Sequence, residues 1–239
     1  MENNPWKTIR AITTEPYIAK ADKEAIEAVF KKSPEKAQKL QLEYLPQPYM
    51  GDPTRAKIFL LNGNPNAPDG KTAPKFQHRK FNEKYRETIL NSLENKVKDY
   101  PLYALNPDFK EYSIYKWWYS RLKALIDEID IETVSRNLFV AEYFPYFSNN
   151  LSDADGISVP SQKYTFSLIE KAMEAGKTII IMRAKDKWDD PEKGVKGLKK
   201  HRHVMELKNP RCTYISPENM KRGDFDKILS LLHSPSNNL

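Results

Sequence analysis

Continuous apolar runs alternate along this chain with stretches of helical periodicity. Ile58-Phe59-Leu60-Leu61 has the length and the aromatic and branched content of a strand buried on both faces, and predicts a strand over 56–61. Similar runs predict strands over 138–144 and 178–182, and Cys212-Thr213-Tyr214-Ile215 predicts a short one over 212–215. Between them, Ile114, Trp117, Trp118, Leu122, Leu125, Ile126 and Ile129 recur at helical spacing and define one apolar face. Thr165, Leu168, Ile169, Ala172 and Met173 do the same after a Ser161 cap, and Gly176 ends that helix. Residues 81–93 and 225–232 read as helices, as does an N-terminal pair around 26–30 and 35–45. Strands alternating with helices predict an α/β fold, a three-layer α/β/α sandwich around a central, mostly parallel four-stranded sheet.

Length and composition narrow the class. The 239 residues suit one large domain, without repeats or a linker. A single domain over 1–239 is therefore expected, with a helical extension over 1–47 and a frayed tail over 234–239. Seventeen prolines against eight glycines point to rigid loops. No stretch holds the ~18 apolar residues of a membrane span, and Met-Glu-Asn-Asn-Pro lacks the architecture of a signal peptide, so a cytoplasmic monomer is expected. The single cysteine, Cys212, excludes a disulfide framework, a four-cysteine zinc site and a protein-ligated iron–sulfur cluster. The net charge of +7 favours a polyanionic partner, nucleic acid above all.

Two turns carry candidate chemistry. The 56–61 strand runs into Gly63-Asn64-Pro65-Asn66, which delivers polar groups to a strand's carboxyl end, where open α/β sheets place their sites. These are also ordinary turn residues. The 212–215 run leads into Ser216-Pro217-Glu218-Asn219-Met220-Lys221-Arg222-Gly223. A first-strand Gly-Asn-Pro turn together with a last-strand x-Pro-x-x-apolar turn resembles the uracil-DNA glycosylase superfamily over about 48–232. Those enzymes carry Gly-Gln-Asp-Pro-Tyr or Gly-x-Asn-Pro-Gly after the first strand, and His-Pro-Ser-x-Leu or Asn-Pro-Ser-x-Leu after the last.

The resemblance implies a bacterial or phage-associated DNA glycosylase that flips a base and hydrolyses its glycosidic bond without a cofactor or metal. It implies that Asn64, beside Gly63 and Pro65, acts on the hydrolytic water. Asn66 would take the place of the residue closing the pocket beside the pyrimidine 5-position. Ser216 would face the departing base, with Pro217 and Asn219 beside it, and Glu218 replaces the family's phosphate-binding serine. Met220 would be the apolar wedge, with Lys221 and Arg222 on DNA. Ser216 and Glu218 depart from the pattern and put leaving-group stabilisation in doubt. Asn209-Pro210 is a second match to Asn-Pro-Ser, but it precedes the 212–215 run instead of following it.

Glu142 falls where the uracil enzymes place an asparagine that reads the Watson–Crick edge. A carboxylate there suits the exocyclic amine of cytosine better than the 4-keto group of uracil, although Glu142 also reads as a strand-end partner for a lysine. Tyr146 and Phe147 are candidates for stacking on the flipped base and equally for core. Lys193, Lys196, Lys199, Lys200 and Arg202 form a basic run suited to phosphates, and Lys71, Lys75, His78, Arg79 and Lys80 another, with Phe76 as a stacking candidate. The zinc-deaminase signature and the phosphate-cradling Walker loop are absent. The expected substrate is a 5-substituted cytosine such as phage DNA carries. Uracil repair, an inert DNA-binding module and a small-molecule α/β hydrolase or transferase are the rivals.

Overall fold

The computed structural model describes residues 3–66 and 83–234. Phe76, Lys71, Lys75, His78, Arg79 and Lys80 lie outside them. The chain groups into two compact units. The first comprises Met1–Tyr49, Gly63–Lys96 and Glu142–Ser167, the second Met50–Asn62, Val97–Ala141 and Leu168–Leu239.

The strands are β1 (Leu40–Gln41), β2 (Tyr49–Met50), β3 (Ile58–Asn62), β4 (Leu138–Glu142), β5 (Phe147–Ser148), β6 (Thr178–Ile181) and β7 (Val204–Glu206). Among the described residues the central sheet has five strands in the order β2-β4-β3-β6-β7, not four, because β2 adds an edge beside β4. It is mostly parallel. Ile58 stands opposite Thr178 and Leu61 opposite Ile181, while Ile179 pairs with Val204 and Ile181 with Glu206. Every residue of β3, β4 and β6 is buried, as their unbroken apolar runs require. Phe59 and Phe139 meet in the sheet at a ring separation of 4.7 Å. The exit from β2 needs a glycine: Gly51 has φ +109°, and a Cβ there would lie 2.5 Å from the Leu138 carbonyl oxygen.

The last strand corrects the expectation of a strand over 212–215. The edge is Val204–Glu206, paired with Ile179–Ile181. The 212–215 backbone is bonded elsewhere. Asn219 Nδ2 donates to the Cys212 and Tyr214 carbonyls, and Ile215 N donates to Arg121 O at 2.9 Å. Cys212 is half-exposed.

The helices are α1 (Lys23–Lys32), α2 (Pro34–Ala37), α3 (Glu83–Leu93), α4 (Ser113–Glu128), α5 (Ile131–Asn137), α6 (Gln162–Glu174), α7 (Lys185–Trp188) and α8 (Asp224–His233). The helix expected over 35–45 is overturned. α2 stops at Ala37, and Leu40–Gln41 becomes a strand antiparallel to β5, with Tyr44 against Phe147. The Ser161 hydroxyl and amide, at the start of α6, both donate to buried Asp22, and Gln162 Oε1 accepts from Val159 N. Gly176 does end the helix region, at φ +70°. No helix among the described residues is long and apolar enough to cross a membrane.

Candidate active site

In the first unit the site begins where β3 ends. Phe144 N donates to Gly63 O at 2.9 Å and Ser148 N to Pro65 O at 3.3 Å, so backbone bonds hold the turn at both ends. Asn64 Nδ2 donates to Ser148 O at 3.1 Å, Ser148 Oγ at 2.9 Å and Pro65 O at 3.1 Å. Two of these acceptors are carbonyls, which fixes the amide orientation: the nitrogen faces Ser148 and the oxygen points away. The Ser148 hydroxyl donates onward to Asn150 O at 2.9 Å, so it can only accept from Asn64. Ser148 itself is fully buried. Asn64 Oδ1 accepts no hydrogen bond among the described residues and is half-exposed. The result is a clamped amide presenting a carbonyl oxygen at the carboxyl end of an interior strand. Ser148 is the functional residue that sequence reasoning missed. Its signal was a serine in a short β pair at the end of the aromatic run Tyr143–Phe147.

Asn66 is exposed. Glu142 closes β4, is 3% exposed, and its amide donates to Pro48 O at 2.9 Å.

The two stacking aromatics are corrected to core. Tyr146 is 1% exposed, and its hydroxyl donates to Asp22 Oδ2 at 2.7 Å and accepts from Ala19 N at 3.1 Å. Burial beside Asp22 pushes the phenol well above its ordinary range. Phe147 is buried with its ring 5.2 Å from that of Tyr44. Neither offers a free face to a base.

Asp22 organises this part of the first unit. It is fully buried and accepts from Tyr146, Ser161 N at 2.8 Å and Ser161 Oγ at 2.5 Å. Desolvation raises its carboxyl above the usual range, and the bonds from Ser161 and Tyr146 pull against that shift.

The second unit carries the other candidates. Met220 is fully buried, which removes it as a wedge: a side chain in the core cannot fill a gap in a duplex. Asn219 is corrected from a ligand-binding to a clamping residue. Its Nδ2 serves the Cys212 and Tyr214 carbonyls, and its Oδ1 accepts from Asn209 N at 3.0 Å. Ser216 is half-exposed, and its carbonyl takes the amides of Asn219 and Met220, both at 3.1 Å. Its hydroxyl bonds the Glu218 carboxylate, which Glu218's own amide and this hydroxyl hold below the usual range. Pro217, Lys221 and Arg222 are exposed, as are Lys199, Lys200 and Arg202 of the basic run.

Asn209-Pro210, expected to precede the last strand, follows β7 by three residues. Arg211 beside it is exposed. The Asn64 and Glu142 set belongs to the first unit, and the Asn209–Arg222 set to the second.

Among the described residues no group of three His, Cys, Asp or Glu side chains is arranged to hold a metal ion. His201 and His203 meet ring to ring at 5.6 Å, and the His201 Nε2 is 3.1 Å from Lys177 O. Compared with models of known families, with curated proteins and with solved structures, the chain has no match.

Proposed function

We propose that the protein is a DNA glycosylase of the uracil-DNA glycosylase type, which hydrolyses the N-glycosidic bond of an extruded base and leaves an abasic site. The carrying observation is the Asn64 amide, clamped by Ser148 with its carbonyl oxygen accepting no hydrogen bond among the described residues. In the order β4-β3-β6-β7, β3 is the interior strand from which the chain winds first one way and then the other. The carboxyl end of such a strand is where doubly wound sheets bind their ligands.

The chemistry asks little of the protein beyond position and charge. The C1′–N bond breaks with its electron pair leaving on the base, which takes up a proton, and water adds to C1′. The sugar becomes cationic and the base anionic on the way. An amide oxygen cannot act as a strong base, but it accepts a hydrogen bond from water and orients it towards an electrophilic carbon. Asn64 has that role in this reading, and Ser148 positions it. The hydroxyl of Ser216, expected to face the departing base, is engaged by Glu218. Lys199, Lys200, Arg202, Lys221 and Arg222 supply exposed cations for phosphates, while the wedge function of Met220 is withdrawn.

Buried Glu142 supports a cytosine with a 5-substituent as the substrate, because a carboxylate accepts from an exocyclic amine and opposes a 4-keto oxygen. Phage genomes that carry such bases would make the role one of defence. Protonated Glu142 would instead donate to a keto group, which keeps uracil as the second substrate. The test is release of uracil, thymine, cytosine and 5-hydroxymethylated or glucosylated cytosine from matched oligonucleotides, read as strand scission after hot alkali, with wild type and Glu142→Gln. Scission at a 5-substituted cytosine is the expected result. Rapid uracil release with no action on any 5-substituted cytosine overturns the substrate, and DNA binding without scission at any base identifies an inert module.

A further inference from the structure

α3 breaks the rule of its own amphipathic pattern. Its buried stripe reads Tyr85, Arg86, Ile89, Leu90, Leu93, so a guanidinium stands where the spacing calls for an apolar side chain. Arg86 is 6% exposed. The guanidinium carbon lies 5.0 Å from the centroid of the Tyr17 ring, whose own backbone is anchored by Tyr17 N donating to Leu42 O at 2.8 Å. The ring covers a face of the guanidinium and takes none of its N–H groups.

Among the described residues no carboxylate, carbonyl or hydroxyl accepts a hydrogen bond from Arg86. The acids further along the helix are engaged elsewhere: Glu87 pairs with Arg10 at 2.7 Å, and Glu94 with Arg10 at 2.5 Å and Lys96 at 2.6 Å. None of the guanidinium nitrogens is among the fully enclosed polar atoms without a partner. A guanidinium cannot shed its proton to escape such a place, and a buried charge without a counterion is strongly destabilising.

We propose that Arg86 is the receptor of an oxyanion site in the first unit, and that its ligand is a phosphate group. The planar fork of an arginine presents two parallel N–H groups to two oxygens of one phosphate, while the tyrosine face holds the plane in place. Phosphate is the oxyanion of the polyanions that a chain of net charge +7 attracts. The site does not rest on the glycosylase reading, since it involves no excision step.

The full chain is titrated with sodium phosphate at constant ionic strength against chloride, by calorimetry and by thermal melting, in the wild type, Arg86→Met and Arg86→Lys. The wild type binds phosphate and melts higher with it. Arg86→Met, which keeps the stem and drops the charge, melts at or above the wild type without phosphate and gains nothing from it. Arg86→Lys keeps a charge but loses the fork, so phosphate binds it about 10-fold more weakly or worse, the loss of about one charge-assisted bond. It serves as the test should Arg86→Met fail to fold. A short oligonucleotide that displaces phosphate assigns the group to a nucleic-acid strand, and failure to displace it assigns it to free phosphate or a phosphomonoester. Any one of four results overturns the proposal: no phosphate response in the wild type, an equal response to acetate, an undiminished response in either variant, or a phosphate-free Arg86→Met that folds but melts well below the wild type.

Discussion

At the scale of single residues, orientation decides what a side chain can do. Asn64 matters because three acceptors hold its nitrogen, leaving its oxygen as the group on offer. In the proposed glycosylase, Asn64→Ala is expected to slow base release by roughly 10²-fold or more while DNA affinity stays within a few-fold, since the lost group would act on water and not on DNA. Single-turnover rates and binding isotherms on one oligonucleotide check both halves. Asp22 is the structural counterpart. Asp22→Ala strands Ser161 N, Ser161 Oγ and the Tyr146 hydroxyl in a dry interior, and is expected to cost about 2–4 kcal/mol of stability, read from urea denaturation.

At the scale of elements, the loop after β7 depends on one buried amide. Asn219 gathers Asn209, Cys212 and Tyr214 around itself, and Lys208 N donates to its carbonyl at 2.8 Å. Asn219→Ala leaves Asn209 N and the collected carbonyls without their partner, so the loop should open locally. Faster amide exchange at Asn209 and new proteolytic nicks within 208–222 are expected, with β3 and β6 still protected. Exchange no faster than in the wild type would mean that the loop is held by something other than this clamp. The same loop explains a misreading. Cys212-Thr213-Tyr214-Ile215 has the β-branched and aromatic content of a strand, but β-propensity describes packing on a pleated surface, and here Asn219 and Arg121 take the backbone groups a ladder would need.

At the scale of the whole molecule, charge governs the response to pH and salt. Glu94 is partly desolvated, which alone would raise its carboxyl, but the bonds from Lys96 and Arg10 hold it below the ordinary value of 4.5. Asp130 caps α5 through Thr133 N at 2.8 Å and is held below 3.8 by that bond. Both groups bind protons more weakly folded than unfolded, so stability is full above the ordinary carboxylate values and is lost as pH falls through the lowered ones. Asp22 has the opposite sign: its raised value makes the fold bind that proton more tightly, and offsets part of the acid loss. Urea midpoints are therefore expected to fall between about pH 5 and pH 2. The decline should be shallower in Glu94→Gln, and an identical decline in that variant would remove Glu94 as a contributor. In the proposed glycosylase, exposed lysines and arginines would carry DNA affinity, which is then expected to drop steeply with added salt.

The sequence by itself determined the parts whose physics is local. Unbroken apolar runs specify β3, β4 and β6, because a strand buried on both faces has no polar face to show. Helical spacing specifies α4, and the position of Asn64 follows from where β3 must stop. What needed the tertiary structure was every question of partner. Leu40–Gln41 is a strand only because Phe147–Ser148 lies beside it, and Val204–Glu206 is the edge only because Ile179–Ile181 offers a free ladder. Tyr146 is bound to Asp22 across 124 residues, and Met220 is buried although its neighbours Lys221 and Arg222 are not. The Ser148 clamp on Asn64 spans 84 residues. Burial and hydrogen bonding at such separations are properties of packing, which periodicity along a chain does not encode.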